Sequence, residues 1–253
     1  MSTEKTDALV IRQADFSETS RVVTFFTRDF GRISALAKGA KRLKGPFEAA
    51  IDLLSACRIV FIRKSSGSLD LLTEARLMQK FRPNGKDLVS LYGGYYVAEL
   101  LSGLTEEYDP HPTLFDQSLS CLEALASEPY PKLTIVRFEL TVLREIGQLP
   151  AFDNCIICES PTTKSGRHAF WVNQGGVICP DCRRKEYEAR SISAGTLALL
   201  KRITSVDSQL GQRVQASDAQ LKELQAVTGS AISHALGRRP KMLKYITSRK
   251  AIP

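Results

Sequence analysis

The sequence predicts an α+β chain of several domains, in which a five-stranded antiparallel barrel precedes a helical part that a four-cysteine module interrupts. Strand-like runs with short connections occupy the first 80 residues, and helical periodicity follows them. Two Cys-x2-Cys pairs stand between the helical segments. With 253 residues the chain is long enough to bury a core in one large domain or in a few small ones.

The barrel is predicted from β-branched and apolar runs at 8–11, 21–26 and 32–37, which ACRIVFIRK and LDLLTEARLM follow. Five such runs in about 80 residues, joined by short connections, are typical of a small antiparallel barrel. An oligonucleotide-binding (OB) fold is the leading candidate, although an SH3-like barrel gives much the same pattern. Four phenylalanines in or beside these runs are expected in the core rather than stacked on bases: Phe25, Phe26, Phe30 and Phe47.

The helical part is predicted from apolar residues spaced three and four apart and from prolines that open helices. The predicted helices are 87–104, 112–127, 131–147, 194–205 and 218–236. Ser193 and Ser217 are expected N-caps of the last two, and Gly93-Gly94 indicates close packing of the first. The predicted domains are 1–80 (barrel), 81–150 (first helical part), 151–190 (cysteine module) and 191–253 (C-terminal helical part).

The cysteine module has the spacing of a tetrahedral zinc site, because two residues between ligands let both thiolates turn onto one ion. The predicted ligands are Cys155, Cys158, Cys179 and Cys182. Two disulfides or a redox dithiol are the alternatives, and a cytosolic chain disfavours disulfides. Four thiolates close the coordination shell, so the sequence predicts one structural Zn²⁺ with no catalytic role. Phe170 and Trp171 are expected to pack over the metal, His168 to be exposed, and Cys57 and Cys121 to be core residues.

Charge is distributed unevenly along a chain whose net charge is +8. Residues 1–80 carry 14 Lys and Arg against 9 Asp and Glu, residues 81–150 carry 5 against 10, and residues 151–253 carry 16 against 8. Two basic ends therefore flank an acidic middle, which favours a polyanion as the partner of the ends. The stretch AKGAKRLKGP is either a phosphate-binding segment or a solvated, charged loop.

Sequence motifs of the common enzyme classes are absent: the phosphate-binding G-x-x-x-x-G-K-[ST] loop, H-E-x-x-H and G-x-S-x-G. The three histidines stand in unrelated contexts, so a general-base cluster is hard to build. We therefore expect a binding protein without catalytic residues. A metal-dependent nuclease or other nucleic-acid enzyme, and an RNA-binding barrel with a zinc ribbon, stay open as alternatives. No apolar run is long enough to cross a bilayer and no secretory signal is recognised, so we expect the cytoplasm.

The segment ALVIRQADFSETSRVVTFFTRDFGRISALAKGAKRLKGPF resembles the N-terminal signature of the bacterial RecO family of recombination mediators. The resemblance continues through RFELTVLREIGQLPAFDNCIICE, GGVICPDC, SISAGTLALL and HALGRRPKMLK. It implies an OB-fold domain, a helical core and a zinc module in a nucleoid-associated protein that is not an enzyme. It also implies binding and annealing of single- and double-stranded DNA. The implied protein partners are the acidic tail of single-strand binding protein and RecR, with which the family loads RecA at gaps.

Phosphate contacts are expected at three basic groups, since phosphates need dispersed cations and glycines let a backbone approach. The candidates are Arg32, Lys38, Lys41, Arg42 and Lys44, then Arg183, Arg184 and Lys185, then Arg238, Arg239 and Lys241. Such contacts position a strand without reading its bases. Arg137 and Arg144 are the candidate cations for an acidic tail, and the alternative for both is pairing with Glu139 or Glu145.

Overall fold

The computed structural model describes residues 2–42, 47–64, 69–84, 88–162, 166–184, 190–205 and 214–247. The chain forms two compact units, Met1–Pro131 and Lys132–Pro253. The first unit contains the barrel with two helices, and the second contains the cysteine module with the remaining helices. The finer domain boundaries expected at residues 80, 150 and 190 stay predictions. No described helix is both long enough and apolar enough to cross a lipid bilayer.

Five strands close into a barrel in the order β1-β2-β3-β5-β4, so the predicted number of strands is confirmed, whereas the prediction that the barrel is antiparallel throughout is corrected by one parallel pair. They are β1 (Ser2–Asp15), β2 (Arg21–Thr27), β3 (Gly31–Ala37), β4 (Ser55–Arg63) and β5 (Asp70–Lys80). Only the β3–β5 pair is parallel among the described strand pairs of this barrel. The long β1 pairs with β4 through Ser2–Leu9 and with β2 through Ala8–Asp15, and its pairing with β2 is interrupted by a bulge between Val10 and Arg12, which bends a strand locally.

The barrel interior is filled by alternating residues, as the pleat of a strand requires. In β3, Ile33, Ala35 and Ala37 are buried while the residues between them are partly exposed. Phe25, Phe47 and Cys57 are buried in the same core, and Phe30 packs against it. Phe26 is also buried, with its ring centroid 6.2 Å from that of Phe115. The expectation that these phenylalanines are packing residues is therefore confirmed.

Two α-helices follow the barrel in the described part of the first unit, α1 (Leu88–Leu104) and α2 (Pro112–Ser127). Gly94 of α1 is buried, and a Cβ there would lie 2.6 Å from the Phe81 ring and 2.9 Å from Leu54. This confirms the close packing expected of the paired glycines. The segment after α1 pairs with the start of β3. The Arg32 N–H donates to Glu106 O (3.3 Å), and the Tyr108 N–H donates to Arg32 O (3.1 Å).

The second unit combines a four-stranded sheet, of order β6-β8-β7-β9, with helices. Its described α-helices and strands are α3 (Pro131–Glu145, starting at the boundary), β6 (Ala151–Cys155), β7 (Arg167–Trp171), β8 (Gly176–Ile178), β9 (Arg190–Ser193), α4 (Ala194–Thr204), α5 (Asp218–Ala235) and α6 (Leu243–Thr247). Ser193 and Ser217 cap α4 and α5 through their hydroxyls, which confirms both predicted N-caps. Strands β7 and β8 form an antiparallel pair, and β6, β9 and α6 were not predicted from the sequence.

Polar contacts join the elements of the second unit. The buried Glu139 of α3 accepts a hydrogen bond from Thr228 of α5. Glu223 of α5 accepts from the Ser193 N–H (2.8 Å), from the Ser193 and Thr196 hydroxyls (2.7 and 2.5 Å) and from Arg167 (2.9 Å). Burial raises the pKa of Glu223, but these hydrogen bonds outweigh it and lower the pKa to about 2. The carboxylate therefore stays charged and ties α5 to β7, β9 and α4.

Candidate nucleic-acid interface and metal centre

Strand register brings two polar turns to one end of the barrel. Asp15 pairs with Arg21, Arg21 pairs with Ala37, and Ala37 pairs with Leu72 of the parallel strand β5. The β1–β2 turn (16–20) and the turn after β3 (38–42) are therefore neighbours. We call this end of the barrel, with its two turns, the basic end.

Lys41 holds the two turns of the basic end together. Its backbone N–H donates to Thr19 O (3.1 Å), and its Nζ donates to Ser17 O (3.0 Å) and pairs with Asp15 Oδ2 (2.9 Å). The hydrogen bond from Lys41 also lowers the pKa of Asp15. The Lys41 ammonium is thus already neutralised in part, and its assignment as a phosphate contact stays a prediction.

Lys38 and Arg42 are the exposed cations of the basic end, and neither forms an ion pair with any residue in the described part of the chain. Gly39 between them has φ +75°, a left-handed conformation that glycine adopts without strain. Arg32 is not brought together with them, since it lies roughly 17 Å along β3 from Ala37 at about 3.3 Å per residue. Lys44 lies outside the described residues.

The basic end also carries an aromatic residue that sequence reasoning missed. Phe16 begins the β1–β2 turn, and 60% of its surface is exposed, whereas the phenylalanines considered from sequence pack in or against the core. The signal that was available is a lone apolar residue in the polar segment DFSETS. An exposed ring beside cations is what a stacked, sequence-independent strand contact requires.

The other predicted cations lie in the second unit. Arg183 and Arg184 follow the second cysteine pair, Arg238, Arg239 and Lys241 follow α5, and all five are exposed. Lys185 lies outside the described residues. The guanidinium of Arg137 donates to Val214 O (3.0 Å) and that of Arg144 to Thr204 O (2.6 Å). Both guanidinium groups thus donate to backbone carbonyls of their own unit. The binding of an acidic tail by these arginines stays a prediction.

The four predicted metal ligands come together in the second unit. The sulfur atoms of Cys155, Cys158, Cys179 and Cys182 all lie within 4.8 Å of one another. The Cys158 and Cys179 sulfurs are 3.9 Å apart, and all six cysteines of the chain are free thiols. A tetrahedral zinc site with Zn–S bonds of about 2.3 Å needs sulfur atoms about 3.8 Å apart. The cluster therefore fits Zn²⁺. Its four cysteines are not paired in disulfides, which was one of the alternatives left open by the sequence.

Hydrogen bonds in the first knuckle favour thiolates, the form that binds metal. The backbone N–H and hydroxyl of Ser160 lower the pKa of Cys158 to about 6. Burial raises the pKa of Cys155, but hydrogen bonds from backbone N–H groups, including that of Cys179 (3.3 Å), outweigh the effect of burial. The pKa of Cys155 is therefore lowered. By contrast, the pKa of Cys182 is raised to about 12, and the largest cause is the hydrogen bond between its thiol and Cys158.

The surroundings of the cluster correct one expectation and confirm another. His168 is fully buried, not exposed, because β7 is an inner strand of the sheet with β8 and β9 on either side. It is not part of the sulfur cluster, and burial followed by the charge of Lys201 lowers its pKa. Trp171 packs against the cysteines as expected, while Phe170 faces Phe152 with ring centroids 6.4 Å apart.

Comparison with known proteins places both parts of the chain. Residues 1–81 match the family model "Recombination protein O N terminal", and residues 85–244 match "Recombination protein O C terminal". A DNA repair protein RecO of Rhodopirellula baltica is 44% identical over 199 residues, covering 78% of this chain and 74% of that protein. Those of Anaeromyxobacter dehalogenans (31% over 251 residues, 97% and 96% covered) and Syntrophus aciditrophicus (27% over 247, 97% and 95%) match nearly end to end. The chain belongs to the RecO family of DNA repair proteins.

Proposed function

We propose that this protein is a recombination mediator that binds DNA and catalyses no covalent chemistry. In this proposal it binds single- and double-stranded DNA, anneals complementary strands, and helps RecR load RecA onto gaps coated with single-strand binding protein. The observation that carries the proposal is the basic end of the barrel, where exposed cations adjoin an exposed ring. Family membership supports the role in DNA repair.

The chemistry of the basic end suits a strand of any sequence. Lys38 and Arg42 provide positive charge that phosphates can neutralise, and Phe16 provides a face on which any base can stack. Lys41 contributes by holding the turns that carry these side chains. A repair protein that acts at any gap needs this kind of contact, which positions a strand without reading bases.

Annealing requires two strands to be held while their charges are screened. The second unit supplies further exposed cations at Arg183, Arg184 and Arg239. The acidic tail of single-strand binding protein is proposed to bind at Arg137 and Arg144, two cations of α3 whose guanidinium groups suit carboxylates. The cysteine cluster is proposed to hold one Zn²⁺ that stabilises the fold of the second unit and takes no part in chemistry.

The experiment mixes two complementary oligonucleotides, each with one dye of an energy-transfer pair, and follows annealing with and without the protein. We expect faster annealing with the wild type and slower annealing with Lys38→Ala/Arg42→Ala. The matched control is Lys5→Ala/Arg76→Ala, which removes two exposed cations elsewhere on the barrel and should anneal like the wild type. Wild-type protein that does not accelerate annealing would contradict the proposal.

The same reactions separate the proposal from the enzyme and RNA-binding alternatives. Strands recovered after incubation with Mg²⁺ should be intact, and shortened strands would identify a nuclease. Unlabelled DNA should compete for binding at least as well as RNA of matched sequence. RNA that competes far better would favour an RNA-binding barrel.

A further inference from the structure

The second unit contains an open cleft of about 860 Å³ that none of the contacts above explains. The end of β7, the start of β9, one face of α5 and the region of α6 line it. Its volume lies in the upper part of the roughly 300–1,000 Å³ typical of ligand sites. The residues that line it include Trp171, Arg190, Lys222, Gln225, Ser233 and Arg239.

Three exposed cations surround the cleft: Arg190, Lys222 and Arg239. Within the described parts of the chain none of them forms an ion pair, and no acidic residue lines the cleft. The neighbouring Arg167, in contrast, is paired with Glu223 at 2.9 Å. Like charges gathered without a counter-ion repel one another and make a site for an anion.

Trp171 supplies an aromatic wall to the same cleft. Its ring also packs against the cysteine cluster, so the knuckles fix its position. Helix α5 contributes Lys222, Gln225 and Ser233 to the lining, and these residues share one helical face at intervals of three and eight residues. The cleft thus combines a fixed aromatic face, cations and hydrogen-bond donors.

We propose that this cleft binds a segment of single-stranded nucleic acid, with its phosphates on the three cations and a base stacked on Trp171. The inference rests on the proposed function and gives that function a second strand site, in the unit that does not contain the barrel. An acidic peptide with an apolar end needs an apolar pocket. Eight of the thirteen described residues that line the cleft are polar or charged, so the cleft fits a phosphodiester strand better.

Trp171 is the only tryptophan of the chain, so its fluorescence reports on this cleft. Titration with a short oligothymidylate should quench the emission along the same curve as binding measured by anisotropy of a labelled oligonucleotide. Lys222→Ala/Arg239→Ala should lose the quenching and flatten the salt dependence of binding by about 1.4 in log–log slope, roughly 0.7 for each lost contact. Arg202→Ala/Lys244→Ala removes two exposed cations of the same unit that do not line the cleft, and should resemble the wild type.

The outcomes separate this inference from the proposed function. Wild-type protein that binds no oligonucleotide overturns the proposed function and this inference with it. If the oligonucleotide binds but Trp171 emission does not change, and if the cleft variant and the control variant bind with the same affinity and salt dependence, only the inference about the cleft is overturned. An acidic peptide that quenches Trp171 where the oligonucleotide does not would assign the cleft to a peptide and also overturn it.

Discussion

Replacing one cysteine of the cluster tests whether it holds a structural metal. Cys158 is the best choice because it is exposed while Cys155 and Cys179 are buried, so Cys158→Ala removes a thiolate with little loss of packing. The variant should lose its zinc. Cys121→Ala is the matched control, since Cys121 lies in α2 of the first unit, outside the cluster.

The magnitude follows from the linkage of metal binding to folding. A metal at 100 to 1,000 times its dissociation constant stabilises the folded state by about 2.7 to 4.1 kcal/mol. For a unit the size of Lys132–Pro253 this corresponds to a fall in Tm of roughly 10 °C or more when the metal is lost. Trp171 packs against the cluster, so its fluorescence follows the melting of this unit alone.

The assay combines metal analysis of the purified protein with melting curves recorded by tryptophan fluorescence. We expect one zinc per chain in the wild type and in Cys121→Ala, and a chelator should lower the wild-type Tm to that of Cys158→Ala. If Cys158→Ala keeps one zinc per chain, or if the chelator leaves the wild-type Tm unchanged, the interpretation of the cluster as a structural zinc site is wrong.

Three further predictions concern the barrel and the second unit. Gly31→Ala should lower the stability of the first unit by at least about 2 kcal/mol in urea denaturation, because Gly31 has φ +63° and a Cβ would lie 2.1 Å from Asp109 O; an unchanged midpoint would contradict this. Glu223→Gln should destabilise the second unit by about 2 kcal/mol at neutral pH. The folded pKa of about 2 lies below the ordinary 4.5, so this difference should persist above pH 4.5 and shrink as the pH falls towards 2; a difference independent of pH would refute the linkage. Phe16→Ala should weaken single-strand binding by about 1–3 kcal/mol with an unchanged salt slope, and equal affinity would exclude base stacking there.

Local chemistry made much of the fold predictable from sequence. Helix α2 begins and ends as predicted because a proline opens it and a Glu-Pro step follows it, and Ser193 and Ser217 cap helices as N-cap chemistry requires. The cysteine spacing predicted the cluster for the same reason, since each pair is a local turn. The burial of His168 was missed because it depends on β9, a strand that the sequence pattern did not reveal.

Contacts between distant residues were not predictable from the sequence. Lys41 looked like a free phosphate ligand, yet it pairs with Asp15, a partner that strand register supplies from another turn. The cleft is likewise assembled from Trp171 and Arg239, which belong to elements far apart in the chain. A pattern of charge predicts a polyanion partner, but only the fold decides which cations are left to meet it.

The most direct test of the central claim is the salt dependence of binding to a single-stranded oligonucleotide. The comparison is between wild type, Lys38→Ala/Arg42→Ala and the control Lys5→Ala/Arg76→Ala, with zinc content and melting checked to be alike. If phosphates bind at the basic end, the first variant binds more weakly and its log–log slope is shallower by about 1.4, while the control matches the wild type. A slope identical in all three proteins would mean that AKGAKRLKGP is a solvated loop and that the strand binds elsewhere.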